Sequence, residues 1–384
     1  MLTGLILALG ILAGQIVKIP FTQNSGATLL DLAVLILCLI GTFQIKFKFK
    51  KIPSSLWLFI AFVAWGLISL IISPLKLTIG ELTISASYGI RFLLFVYLGV
   101  LIKNGALENL RTKVFDIFII SGFLLSVIGI LQLIFLPNLQ FLSAYGWDPH
   151  YFRTVSTLLD PNFLGAFLSL ILLLLLTQDN LIKNVFYKIT FALLYLAILT
   201  TFSRSAAICL AVSLISFSVF KKNLKYLLIS FILLAGYIPT FFLYHQFISA
   251  PRNIDRTQSA EYRLTSYTEG LDIFSRSPIT GVGFNGYRFA LTKYNLASSG
   301  VINSHGGSTN DSSFLYILDT TGVVGLVIYL AAIYFSVKEI FIRKSKLSAY
   351  YLAGFLGLAA QSFFINVLFY PWILVWIFIF AYIT

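Results

Sequence analysis

The chain has 384 residues, of which 59% are hydrophobic and only 11% charged, and its mean hydropathy of +0.92 excludes a soluble globular domain. Its formal charge of +13 raises nucleic acid as a partner, but the basic residues sort by loop instead of gathering in one patch, so no nucleic-acid role is expected. Cys38 and Cys209 fall in separate apolar runs without metal-ligand spacing and are read as packing residues, neither disulfide nor zinc ligands.

A bilayer crossing needs roughly 20 apolar residues, and such runs begin near Leu5, Leu29, Leu56, Ile84, Val114, Phe163, Phe186, Ala206, Tyr226, Ser313, Tyr350 and Trp372. They predict an all-α polytopic membrane protein, a single membrane domain over 1–384 with about twelve transmembrane helices. The first run contains no Lys or Arg from Met1 to Gln15 and is read as a retained helix, not a cleaved signal.

Between these runs, poorly basic loops alternate with loops carrying Lys46, Lys48, Lys50 and Lys51, then Lys103, Arg111 and Lys113, then Lys183 and Lys188, then Lys221, Lys222 and Lys225, and finally Lys338, Arg343, Lys344 and Lys346. The positive-inside rule puts these loops and both termini in the cytoplasm. The loops near Leu75, at 137–162, 203–205 and 245–311, and near Tyr370 then lie outside.

Two outer loops are long, and long loops in a compact protein usually carry function. The first, 137–162, holds Trp147, Asp148, His150, Arg153, Asp160 and Asn162. The second, 245–311, is the large extracytoplasmic loop. Within it 261–275 reads as a short amphipathic helix with Leu264, Tyr267, Leu271 and Phe274 on one face and Glu261, Glu269 and Asp272 opposite, lying along the membrane surface or against the bundle. The stretch Ser277-Pro278-Ile279-Thr280-Gly281-Val282-Gly283 must turn the chain, and 298–310 is expected to be mobile.

Four arginines stand out. Arg91 lies inside the fourth apolar run, where an ionised group is costly, and reads either as an ion pair with a neighbouring helix or as a substrate ligand. Arg204, at an outer reversal, is a cation on the side where cations are disfavoured, and either anchors the helix or meets an anion. Arg263 projects on the apolar side of its helix, to snorkel or to bind. With Arg153 they face one surface, and guanidinium forks suit phosphate oxygens; a lipid-linked phosphate or diphosphate is the expected ligand. Candidate bases are His150, Asp160, His305 and Asp311. Asp311 either caps the helix that follows or takes a proton from a sugar hydroxyl, and His305 either does the same or is merely solvated. No P-loop, nucleotide fingerprint, zinc motif or hydrolase elbow is present, and no cofactor or metal is expected.

Together, several segments resemble the O-antigen ligase and O-antigen polymerase superfamily of bacterial membrane enzymes: Arg153 through Asp160-Pro161-Asn162-Phe163, Phe202-Ser203-Arg204-Ser205-Ala206, Glu261-Tyr262-Arg263 leading to Ser277 through Phe284, and Asp311-Ser312-Ser313-Phe314-Leu315 leading to Gly322-Val323-Val324-Gly325. The resemblance implies a GT-C-like glycosyltransferase architecture in the bacterial cytoplasmic (inner) membrane. It also implies a metal-independent inverting transfer from an undecaprenyl-diphosphate-linked oligosaccharide, with membrane lipid, a flippase and a chain-length regulator as partners. It gives Arg204 and Arg263 the donor diphosphate and Asp311 the acceptor hydroxyl. Ligases carry histidine where Asp311 stands, so the chain looks more like the polymerase branch of O-antigen, capsule or exopolysaccharide synthesis; with the alignment shifted, His305 becomes the ligase-like histidine. The alternatives are a ligase that moves finished glycan onto lipid A core of lipopolysaccharide or another acceptor, and a lipid-linked oligosaccharide transporter.

Overall fold

The computed structural model describes residues 2–22, 25–49, 52–181, 183–249 and 258–383. The apolar runs fall on α1 (Leu2–Ala13), α2 (Leu29–Gln44), α3 (Ser54–Ile71), α4 (Ile79–Lys103), α5 (Glu108–Phe135), α6 (Pro161–Leu176), α7 (Val185–Thr200), α8 (Arg204–Lys221), α9 (Leu224–Tyr244), α13 (Ser313–Arg343), α14 (Lys346–Gln361) and α15 (Pro371–Tyr382). Between α9 and α13 come α10 (Gln258–Arg276), α11 (Tyr287–Lys293) and α12 (Ser299–Asn303). Polar residues set many of the starts. Thr28 with Asp31, and Thr78 with Glu81, form reciprocal caps on α2 and α4, and the side chains of Asp160, Ser203 and Ser312 accept backbone N–H bonds at α6, α8 and α13.

This is an integral membrane protein. Among the described residues, 6 helices are long and apolar enough to cross a membrane: α3, α4, α5, α8, α9 and α13. Shorter apolar helices are α1, α2, α6, α7 and α15. All of α15 is buried, as is most of α6; a helix that is apolar all round belongs inside a bundle. Large apolar side chains on α9, such as Phe231 at 64% and Ile232 at 63% exposed, point outward as a lipid-facing surface would.

The two ends of the bundle differ. At one end Arg111 Nε donates to Ile383 O at 2.9 Å, Arg343 Nη1 to Ala381 O at 3.0 Å, and Ser55 Oγ bonds Tyr382 Oη at 2.9 Å. The other end carries the long loops and an antiparallel hairpin, β1 (Lys18–Thr22) with β2 (Ser25–Thr28), which the apolar pattern does not foreshadow. With its 12 residues α15 rises only about 18 Å against a hydrocarbon core of about 30 Å, so space opens over its start, where Tyr370, Pro371 and Leu374 line a large cavity.

The helix α13 is broken at Gly322, whose φ of 66° and ψ of −173° are non-helical. The turn at 278–283 enters the break. Val282 N donates to Asp319 O at 3.0 Å, Gly283 N to Thr320 O at 2.9 Å, and Val323 N to Pro278 O at 2.9 Å, while Trp65 Nε1 donates to Thr321 O at 2.9 Å. The carbonyls released by the break thus find partners in protein, which membrane-depth irregular backbone requires.

The docked face of α10 differs from the one the periodicity gives. α10 turns Gly270 and the fully buried Ile273 inward and leaves Leu264 and Leu271 exposed at 69% and 54%, because polar anchors at Ser266 and the close approach at Gly270 set its docking. Glu269, read as solvent-facing, lines the cavity and accepts a hydrogen bond from Tyr287 Oη at 3.2 Å. The stretch 298–310 carries α12 and a 3-10 turn at Gly306–Ser308, with Gly307 N donating to Ser304 Oγ and Ser308 Oγ to His305 O.

Candidate active site

One cavity of about 1500 Å3 at the loop-rich end is lined by Arg91, Arg153, Arg204, Arg263, His305 and Asp311 together. They come from α4, the first long loop, the start of α8, α10 and the segment before α13.

Around Arg204 the local chemistry is a polar knot. Asn162 Oδ1 accepts from Ser203 Oγ at 2.6 Å and Ser205 Oγ at 3.2 Å, tying the start of α8 to the start of α6. Two helix N-termini therefore lie side by side, with their positive ends toward the cavity. Arg153 Nε donates to Thr201 O at 2.8 Å on the same rim. Arg204 and Arg263 lie near enough to repel each other.

Asp311 is not the helix cap. Ser312 takes that role, accepting from Leu315 N at 3.3 Å. Asp311 instead sits against α10, its backbone N donating to Ser266 Oγ at 3.1 Å, while Asn310 Nδ2 donates to Ser266 O at 2.6 Å. Ser266 is three residues from Arg263 on the same helix face, and Arg263 acts electrostatically on Asp311. Burial, opposed by Arg263 and reinforced by Asp148, Asp160 and Glu269, pushes the Asp311 carboxyl up to about 6.

His305 has a different setting. Its ring lies against Trp147, tilted by 36° with centroids 4.1 Å apart, and its backbone N donates to Gly146 O at 2.7 Å, so the two long loops meet here. Burial, with Lys18 and Arg288 nearby, pushes its imidazole down to about 4. His150 is buried and held well below the ordinary histidine range by burial and by Arg153. Asp160 caps α6, accepting from Asn162 N at 2.6 Å, and burial followed by Asp148 pushes its carboxyl up. Of these four candidate bases, Asp160 is occupied as a cap.

Arg91 stands apart from the other arginines. It pairs with Asp31 at 2.9 Å, donates to Gly26 O at 2.6 Å and lies over the Tyr88 ring at 4.8 Å. The ion pair with a neighbouring helix, one of its two sequence readings, is therefore present.

Two cationic cavity residues escaped the sequence reading: Lys18 on β1 and Arg288 on α11. The argument that singled out Arg204, a cation in a poorly basic loop, applies equally to Lys18. Arg288 sits in Tyr287-Arg288-Phe289-Ala290-Leu291, a short apolar stretch in which a charge also needs a reason.

Residues 189–330 match the model of a family described as O-antigen ligase. This match bears out the resemblance to the O-antigen ligase and polymerase superfamily. It contains Arg204, Arg263, His305 and Asp311, and leaves Arg153 and Arg91 outside. No curated protein matches the chain.

Proposed function

We propose, with the O-antigen ligase family match as premise, that the protein polymerises lipid-linked polysaccharide repeat units on the outer face of a bacterial cytoplasmic membrane. In this reading the chain makes about twelve passes, both termini and the Arg111–Arg343 end are cytoplasmic, and the loop-rich end with its cavity is extracytoplasmic. The observation that carries it is the meeting of Arg204, Arg263 and Asp311 on one cavity wall.

The donor is a glycan on undecaprenyl diphosphate. Arg204, Arg263 and Arg153 hold its diphosphate, and the Asp311 carboxylate takes the proton from a hydroxyl of the acceptor sugar. The acceptor oxygen bonds to the anomeric carbon from the face opposite the leaving group, the carbon–oxygen bond to the diphosphate breaks, and the departing lipid diphosphate carries away the electron pair. Its growing charge meets guanidinium forks and helix N-termini that are already in place, which replaces the charge stabilisation a metal would supply. The product is one glycan, inverted at the new linkage, on the acceptor lipid.

Of the two bases, Asp311 fits better, since it shares its surroundings with Arg263, whereas His305 is engaged with Trp147. A second reading, a ligase that transfers finished glycan to lipid A core, is favoured by the description of the matching family. Substituting Arg204→Gln, Arg263→Gln and Asp311→Asn separately, and resolving the glycan by size, tests the proposal. Collapse to single repeat units is expected; normal ladders from all three inserted variants would overturn it, and full-length polymer left unattached would favour the ligase.

A further inference from the structure

The cavity reaches about 1500 Å3, and its charges fall into two groups. Arg263 acts on Arg204, and Arg153 and Arg263 act on the acids Asp148, Asp160 and Asp311. Lys18, by contrast, is perturbed by Arg91, and Lys18 and Arg288 act on His305.

We infer that Lys18, Arg91 and Arg288 form a second anion subsite, which takes the diphosphate of the lipid-linked acceptor. This rests on the polymerase reading and adds a substrate-binding set outside the Arg204–Arg263 pair.

Three elements build the subsite. The hairpin brings Lys18, whose Nζ lies 4.6 Å from the Trp147 ring centroid. α4 brings Arg91, oriented by Asp31 and Gly26 O and lying over Tyr88. α11 brings Arg288, whose Nη2 donates to Ser304 O at 2.6 Å and whose buried Nε has no hydrogen-bond partner among the described residues. Asp31 is the carboxylate that pairs with this group, and it pairs with Arg91; no other ion pair among the described residues involves the three. Three cations against one carboxylate leave an excess positive charge in a partly enclosed site, where like charges repel strongly. Burial, and then Arg91, push the Lys18 ammonium down to about 8, the direction that this crowding demands. A dianionic or trianionic group would relieve it, and the guanidinium and ammonium donors match phosphate oxygens.

The test uses the full-length protein in nanodiscs of zwitterionic lipid, with farnesyl diphosphate as the probe counted by native mass spectrometry. Two equivalents are expected for the wild type, one for Lys18→Gln/Arg288→Gln, and one for Arg204→Gln/Arg263→Gln. Retention of two equivalents by Lys18→Gln/Arg288→Gln overturns the second subsite and leaves the polymerase reading intact. Two equivalents in Arg204→Gln/Arg263→Gln would instead undercut the donor site. Lys18→Gln alone, on a hairpin that no Lys18 ion pair holds among the described residues, guards against misfolding and should weaken one equivalent about tenfold or more. Displacement of that equivalent by phosphatidylglycerol at equal concentration would assign the subsite to bulk lipid headgroups and overturn the acceptor assignment. In the polymerisation assay the double variant should raise KM for the lipid-linked acceptor at least about tenfold with the donor KM unchanged; equal changes in both would overturn it.

Discussion

At the scale of single residues, the contrast between Asp311 and His305 yields a pH experiment. A general base works only when unprotonated, so kcat/KM should rise about tenfold per pH unit below the base's pKa and level off above it. With Asp311 at about 6 the acid limb should bend near pH 6, whereas His305 at about 4 would place the bend two units lower. Asp311→Asn should lower kcat about 10²- to 10⁴-fold and remove the bend, while His305→Gln should leave it in place. The profile of transfer rate against pH for the three proteins decides. Arg91 teaches a related lesson: the cost of a charge within an apolar run is visible in sequence, but its partner Asp31 is 60 positions away, and only folding shows that the two meet.

At the scale of elements, the motif Ser277 to Gly283 and the motif Gly322 to Gly325 turn out to be halves of one device. A helix that breaks at Gly322 frees carbonyls of the preceding turn, and the N–H groups of Val282 and Gly283 satisfy two of them. Gly322 cannot carry a side chain here: an added Cβ would lie 2.1 Å from Ile279 O, and its backbone angles are open essentially to glycine alone. Gly322→Ala should therefore destabilise the protein by about 3 kcal/mol or more, read as a lowered midpoint in thermal unfolding of the detergent-solubilised protein. Gly325→Ala, which sits in regular helix three residues on, provides the comparison for a steric effect without backbone strain. The sequence carried both glycine motifs, but local patterning has no means to pair segments 40 residues apart; hydrogen-bond satisfaction inside the membrane does.

At the scale of the whole molecule, the cavity exists because a short central helix stops low in the bundle and long loops close over it. The Trp147–His305 ring contact joins those loops. Such a ring contact is worth about 0.5–1.5 kcal/mol, so Trp147→Ala should speed hydrogen exchange up to about tenfold at 304–307 while leaving α15 protected. Equal exchange in both proteins would show that the loops close by other contacts.

What the sequence determined by itself follows from solvent: apolar runs long enough for lipid, lysines and arginines gathered at alternate loops, and a few arginines left outside those loops. These are one-dimensional signals, because transfer free energy and helical period act on neighbouring residues. The positions of the helices and the gathering of Arg153, Arg204 and Arg263 at one end of the bundle were legible for that reason. Tertiary structure alone decided which charges share a wall. It drew Arg91 away to Asp31, brought Lys18 and Arg288 to the same cavity, turned Glu269 inward and released Asp311 from capping by giving that role to Ser312. Electrostatic coupling falls with distance in space, not along the chain, and the division of the cavity into two basic poles could appear only once the bundle had closed.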